Sequence, residues 1–310
     1  MTNPMFSRRQ ALIAGAALPF APAVLSTTAH ATAPMQGASL PSFNRFGLGC
    51  FEVTALLAGT RTVEDPTSIF GLNADPAEFA AVSAAAFLPT DKAQFFFTPT
   101  LVNIGAELVL FDTGLSGDAM TAALASAGIV PDQIDVVVIT HMHGDHIGGL
   151  MTGDAPTFAN ARYVTGSVEN NFWAGAANEN YDKMVRPLLE KFTFIEDGGS
   201  IVSGITAMAA FGHTPGHMTY MIESNGSGLV VTADTANHYV WSLAHPDWEV
   251  SFDADKAEAA AARRAVFGML AADKLPFIGY HMPFPAMGYV EANDSGFRYV
   301  PASYQMMMNG

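Results

Sequence analysis

Apolar and polar positions divide the chain into short runs separated by glycine, proline and polar clusters. Residues 47–57 alternate loosely and predict a first strand, and the polar, proline-containing stretch 60–70 predicts a loop. Alanine-rich residues 76–86 predict a helix. Residues 95–103 and 106–111 predict a hairpin turning at Gly105. Residues 117–127 predict a helix that stops at Gly128. Residues 134–140 read as one apolar run, as expected for a strand covered on both faces. A strand is predicted at 162–165 and helices at 168–173 and 180–191, the second broken or kinked at Pro187. Strands recur at 201–202, 205–211, 218–224 and 228–233. The clearest helix is 253–272, with Asp253 as N-cap and Asp255 and Glu258 in its first turns. A final strand, 277–280, leads into His281. Two batches of strands, each followed by helices, predict an α/β or α+β domain of packed layers. No internal repeat or long linker divides it, so residues 32–310 read as one domain.

The 310 residues suffice for a substantial core. Charged residues are only 14% of the chain, and the formal net charge is −15. Such an acidic surface repels phosphate backbones, and no Lys/Arg run reverses it locally, so nucleic acid is excluded as a substrate class. Part of the apolar bias comes from the N-terminus. Ser7-Arg8-Arg9-Gln10-Ala11-Leu12 is a twin-arginine pattern, residues 11–25 are weakly apolar, and Ala29-His30-Ala31 offers small residues for cleavage before Thr32. Residues 1–31 are therefore expected to be a signal peptide and the enzyme periplasmic or secreted. The apolar stretch, interrupted by Pro19 and Pro22, is too short for the ~30 Å core of a bilayer, so no stable membrane anchor is expected. Cys50, the one cysteine, forms no intramolecular disulfide and is expected as a small buried residue of the first strand.

The candidate chemistry stands at the ends of the apolar runs. His141-Met142-His143-Gly144-Asp145-His146 follows residues 134–140 and places three imidazoles and a carboxylate within six positions. These are donors for zinc and its neighbours, at a spacing that suits two closely placed ions. Gly212-His213-Thr214-Pro215-Gly216-His217, Asp234 and His281 each follow another apolar run, as does Asp112 in Asp112-Thr113-Gly114. Groups just beyond strand ends are well placed to converge on one site.

These motifs resemble those of the metallo-β-lactamase-fold hydrolases, from the Asp112 turn through His281. Within that family the likeness points to the methyl parathion hydrolases, through residues 141–150, Asn171-Phe172-Trp173, residues 212–220 with Glu223-Ser224, and Phe297-Arg298-Tyr299-Val300-Pro301. The resemblance implies a four-layer αββα sandwich holding two divalent ions, zinc first, with manganese, iron or cobalt also compatible. It implies that His141, His143 and His217 hold one ion, that Asp145, His146 and His281 hold the other, and that Asp234 bridges. It further implies a water activated between the ions that attacks carbon or phosphorus, with Asp145 and Asp234 as the catalytic carboxylates. Asp112 is expected to orient a ligand or simply to form a turn. His213 is expected to be structural or to support a ligand, and His238 and His245 to lie at the surface or pocket rim. Trp173, Phe96, Phe97, Phe192 and Phe194 are expected to wall a pocket for a small, uncharged, apolar or aromatic ester.

Aryl esters, lactones and phosphotriesters are the leading substrates. An acyl-homoserine lactonase is the alternative, against which stands Asn237 where many such lactonases carry tyrosine, with Tyr239 two residues later. A non-catalytic binding protein would have lost ligands, and all are present. An iron redox protein would carry glutamate at His143. The residues leave the oligomeric state open; the resemblance suggests a homodimer.

Overall fold

The structure, a computed structural model, describes residues 34–308, so the proposed signal peptide at 1–31 lies outside the described residues. Eighteen strands form in chain order: β1 Phe43–Leu48, β2 Phe51–Leu56, β3 Gly59–Glu64, β4 Lys92–Phe97, β5 Thr100–Asn103, β6 Leu108–Phe111, β7 Val136–Val138, β8 Met151–Thr152, β9 Ala155–Pro156, β10 Arg162–Gly166, β11 Phe192–Ile195, β12 Ser200–Val202, β13 Ile205–Ala209, β14 Met218–Ser224, β15 Ser227–Ala233, β16 Phe277–Gly279, β17 Met287–Ala292 and β18 Phe297–Pro301. The α-helices are α1 Pro76–Ala85, α2 Gly117–Ser126, α3 Gly144–Ile147, α4 Ser167–Gly175 and α5 Lys256–Asp273. One seven-stranded sheet runs β1-β2-β5-β6-β7-β10-β11 and a second runs β12 to β18 in order.

Alternation along the central strands explains the layers. Val109, Phe111, Val136 and Val138 pack toward the second sheet, against residues such as Ile205, Tyr220 and Leu229. Their neighbours Leu110 and Val137 point the other way, onto Met120 and Leu124 of α2 and Ile147 of α3. Period-two alternation with both faces buried is what an apolar run in a covered strand produces. On the second sheet, Val266, Phe267 and Leu270 of α5 join the core beside Phe277. The four-layer αββα arrangement is thus observed.

Several local expectations are corrected. The single strand at 47–57 is a hairpin, β1 and β2, which turns at Gly49 with φ 61°. A Cβ at Gly49 would stand 2.1 Å from the Ser224 carbonyl oxygen, so the turn and the second sheet can meet only over glycine. Cys50 lies in that turn and is exposed rather than buried. The loop at 60–70 instead starts as β3, paired with β4. The strand at 95–103 breaks at Thr98-Pro99, where proline removes a ladder N–H. The segment 180–191 is a π turn, Tyr181–Val185, followed directly by a 3-10 turn, Arg186–Lys191, with Pro187 in the first turn of the latter. Helix α5 is capped by Asp255, whose carboxylate accepts from Glu258 N at 2.9 Å. Asp253 is buried and paired with Arg263 and His213. Strands β17 and β18 carry no clear alternation, so the sequence pattern does not predict them. Among the described residues, no helix is long and apolar enough to cross a membrane.

His238 is buried, not at the surface. Its ring stacks on Trp241 at 4.1 Å, and its Nδ1 accepts the backbone N–H groups of Val240 and Trp241. Burial brings its pKa down to about 3. The unfolded chain protonates this residue near pH ~6.5, so the stability it contributes is intact above that pH and is lost as pH falls toward the folded value. Between about pH 6 and 4, the urea-unfolding free energy of wild type should fall more steeply than that of His238→Phe, by up to about 1.4 kcal/mol per pH unit. Parallel slopes would show that the ring accepts its proton without cost to the fold.

Candidate metal centre

The centre forms where β6, β7, β15 and β16 end. His141, His143, Asp145 and His146 occupy the turn after β7 and the short α3, Asp234 follows β15, and His281 follows β16. The loop between β13 and β14 brings His213. Two side-chain clusters result. In the first, His143 Nδ1 lies 3.2 Å from His141 Nε2 and 3.0 Å from His213 Nε2. In the second, His281 Nε2 lies 3.3 Å from Asp145 Oδ2, and His146 Nε2 lies 3.7 Å from the same oxygen. Asp234 joins them: Oδ1 is 3.3 Å from His146 Nε2, while Oδ2 is 3.3 Å from His213 Nε2 and 3.2 Å from His281 Nε2.

The outer nitrogen of each of four rings is tied down, which fixes its tautomer and turns the other nitrogen inward. His146 Nδ1 donates to Asp112 Oδ2 at 2.8 Å, and His281 Nδ1 donates to the Phe96 carbonyl at 2.8 Å. His213 Nδ1 donates to Asp253 Oδ1 at 2.9 Å. His141 Nδ1 lies 3.1 Å from Thr140 Oγ1, whose hydroxyl donates to Asp112. Asp112, held at φ 60°, therefore orients two of the rings and is more than a turn residue.

His213 and His217 exchange their expected roles. His217 Nδ1 donates to the Ala210 carbonyl at 3.1 Å, and its Nε2 accepts the Asp234 backbone N–H at 3.1 Å. Both nitrogens are engaged by backbone, so no lone pair remains for a metal. His213 stands in the donor cluster with His141 and His143. His217 instead holds the turn that carries Asp234.

The inner atoms fit cations. His146 Nε2 and Asp234 Oδ1 are buried with no hydrogen-bond partner, and three ring nitrogens converge around His143. Burial and the neighbouring His213 keep His143 neutral, with a pKa of about 3, and burial holds His141 well below the usual imidazole range. Burial opposes charge on His281, yet Asp234 and Asp145 raise it to about 10. Burial would raise the Asp145 carboxyl, yet His146 and His281 bring it down to about 2. Positive charge is demanded between these carboxylates, and the donor set of imidazole and carboxylate suits divalent zinc or its neighbours.

A cavity of about 550 Å³ opens onto the centre and reaches His143, Asp145, His213, Asp234 and His281. Val63, Phe95, Phe97, Leu115, Met184 and Phe252 supply its apolar walls. Arg61 and Asn180 are polar exceptions, and Arg61 has no salt-bridge partner among the described residues. Phe97 sits as expected. Phe96 points to the opposite face of β4 and lines a different cavity. Trp173 packs its ring 5.9 Å from that of His143 but is not a cavity wall. Phe192 and Phe194 lie away from the site: they alternate onto one face of the edge strand β11 and stack 6.0 Å apart, with Phe192 against Tyr163. Val63, Leu115, Met184 and Phe252 come from four separate segments and left no periodic signal.

Glu169 stands in no sequence motif. It is fully buried, and its Oε1 accepts from Met142 N and Trp173 Nε1, each at 2.7 Å. Its Oε2 accepts from Thr214 Oγ1 at 2.6 Å and Gly216 N at 3.0 Å. One carboxylate thus joins the His141–His143 turn, the His213 loop and α4. A Cβ at Gly216 would stand 2.1 Å from Glu169 N, which requires glycine there.

The sequence profile of the metallo-β-lactamase superfamily matches residues 98–275, and the chain belongs to that superfamily. An N-acyl homoserine lactonase of Bacillus cereus is 29% identical over 122 residues, 39% of this chain. That match spans about half, 46%, of the relative's length. Among solved structures, AidC, a dizinc quorum-quenching lactonase in complex with the product N-hexnoyl-L-homoserine, is 26% identical with a TM-score of 0.78, covering 85% of this chain and 98% of AidC. AbOPH, a hydrolase of the β-lactamase superfamily, shares the fold at 22% identity and a TM-score of 0.79, over 86% of this chain and all of its own. The chain thus carries, on this superfamily's fold, clustered side chains of the kind that hold two metal ions. Its particular likeness to methyl parathion hydrolases rests on the sequence motifs alone.

Replacing Glu169 with Gln removes one acceptor oxygen and faces an NH₂ toward two donors. The Glu169→Gln variant should lose about 2–4 kcal/mol in urea unfolding and bind zinc roughly 10–100-fold more weakly in a chelator competition. Unchanged zinc affinity would show that the carboxylate stabilises the fold without orienting the donors.

Proposed function

We propose that this protein is a two-metal hydrolase of neutral esters and that N-acyl lactones with an apolar acyl chain are the substrate class it fits best. The observation that carries the reading is the apolar cavity ending on the Asp145–Asp234–His281 face of the donor cluster. The product described for AidC supports a lactone over other esters.

His141, His143 and His213 would hold one ion, Asp145, His146 and His281 the other, and Asp234 would be shared. Two bound divalent ions, with zinc favoured by the donor set and the dizinc relative, supply Lewis acidity and lower the pKa of water. The chain's own residues orient the reaction. Phe97, Leu115 and Phe252 exclude water and seat an apolar chain, leaving the ester group at the carboxylate floor. Asn237 donates its amide to Asp234 Oδ2 at 2.9 Å, which fixes the shared carboxylate. Tyr239 does not line this cavity, and the Tyr280 hydroxyl donates to the Asp145 carbonyl at 2.6 Å. Asp145, whose ionised carboxylate lines the cavity and is partly open to it, would take the proton released by the attacking water and pass it to the leaving alkoxide. With the leader read from residues 1–31, the substrate would be met outside the cytoplasm.

The first test compares kcat/KM of zinc-loaded protein for N-hexanoyl-homoserine lactone, 4-nitrophenyl acetate and dimethyl 4-nitrophenyl phosphate. The lactone should lead by roughly tenfold or more. A dominant aryl ester or phosphotriester would replace the lactone assignment, and no turnover of any would remove the ester-hydrolase reading. Metal content tests the centre separately. His213→Ala should lose an ion by elemental analysis while His217→Ala keeps both, and Asp234→Asn should lose metal and activity together. The reverse pattern for the two histidines would return His217 to the donor set.

A further inference from the structure

The β3–β4 ribbon separates two cavities. Phe95 and Phe97 line the one over the metal centre, while Phe96, between them, lines another of about 430 Å³. Period-two alternation along β4 puts these side chains on opposite faces. His281 lines both cavities, with its Nδ1 donating to the Phe96 carbonyl in the partition. Trp241, Tyr239, Leu88 and Pro283 complete the apolar walls of the second cavity.

The polar groups there are mostly engaged. The Thr62 hydroxyl donates to Gln94 Oε1 at 2.7 Å, and Trp241 Nε1 donates to Ser83 Oγ at 2.9 Å. Lys92 lies 3.9 Å from Asp91, and no carboxylate lines the cavity. His238 differs. Its Nδ1 accepts two backbone N–H groups, so its proton resides on Nε2, which has no partner among the described residues. A ring held in this tautomer is a fixed neutral donor.

We propose that this second cavity is a ligand site for a small neutral ring-bearing molecule with one hydrogen-bond acceptor, its ring against Tyr239 and Phe96 and its acceptor on His238 Nε2–H. The aromatic walls favour a ring, the Lys92 ammonium stands exposed to solvent rather than buried in the wall, which favours a neutral molecule, and the volume lies within the range of small-ligand pockets. The site does not depend on which ester the metal centre hydrolyses.

The probe is 4-bromoacetophenone, with one ring and one carbonyl acceptor. Crystals of the zinc-loaded protein soaked in it should show bromine anomalous signal beside Tyr239 and Phe96. In equilibrium dialysis, Leu88→Trp should weaken binding by roughly tenfold or more, while Leu115→Trp, in the metal-centre cavity, should leave it in place. Bromine only over the metal centre, or no bound probe, overturns the proposal. So does binding that survives Leu88→Trp and disappears with Leu115→Trp. The wild-type crystal result decides the matter if either variant fails to fold.

Discussion

The Asp234 carboxylate is almost without water, and the centre is arranged around that one charge. A buried carboxylate left alone costs several kcal/mol, so the fold must answer it with cations or donors. Imidazoles of His146, His213 and His281 face its two oxygens directly. Behind them stand further carboxylates, Asp112 on His146 and Asp253 on His213, with Arg263 behind Asp253. Negative and positive groups therefore alternate outward from the centre, and each layer fixes the orientation of the next. Glu169 works across this series, joining the loops that carry the first cluster. The sandwich supplies the rigid strand ends on which such an arrangement can be held.

Much of this was legible because strand-end chemistry interrupts apolar runs. His141, His143, Asp145, His146, Asp234 and His281 stand where a buried strand would otherwise continue or close, and the structure brings all six together. The His213–His217 choice was not legible. Both lie in one turn, four residues apart, and what separates them is tertiary: Ala210 and Asp234 offer backbone partners to His217, while Asp253 offers only the outer nitrogen of His213 a partner. Glu169 left no signal for the same reason, since three of its four donors come from two distant segments, the turn at Met142 and the loop at Thr214–Gly216. The early hairpin was missed because Gly49 sits inside an apparently continuous alternating stretch. The apolar character of Phe192 and Phe194 gave no indication that their strand would be the sheet edge.

The superfamily places many reactions over one kind of centre, so selectivity must reside in the parts that differ. Here the walls of the cavity over the centre come from the β3–β4 ribbon and the segments bearing Leu115, Met184 and Phe252, which supply no donor side chain, although the Phe96 carbonyl of β4 orients His281. The ribbon is the more consequential, because a single strand presents alternate phenylalanines to two separate spaces. Substitutions along β4 can alter one space and leave the lining of the other intact, whereas His281 belongs to both.

The turn that places Cys50 at the surface has a practical side. β2 runs antiparallel to β5, and β5 antiparallel to β6, so the start of β2 lies at the end of the sheet away from Asp112. The chain's sole thiol is thus an address at the pole opposite the metal centre. A maleimide dye or a solid support attached there would leave the cavity mouth facing solution, and every molecule on such a support would be oriented alike.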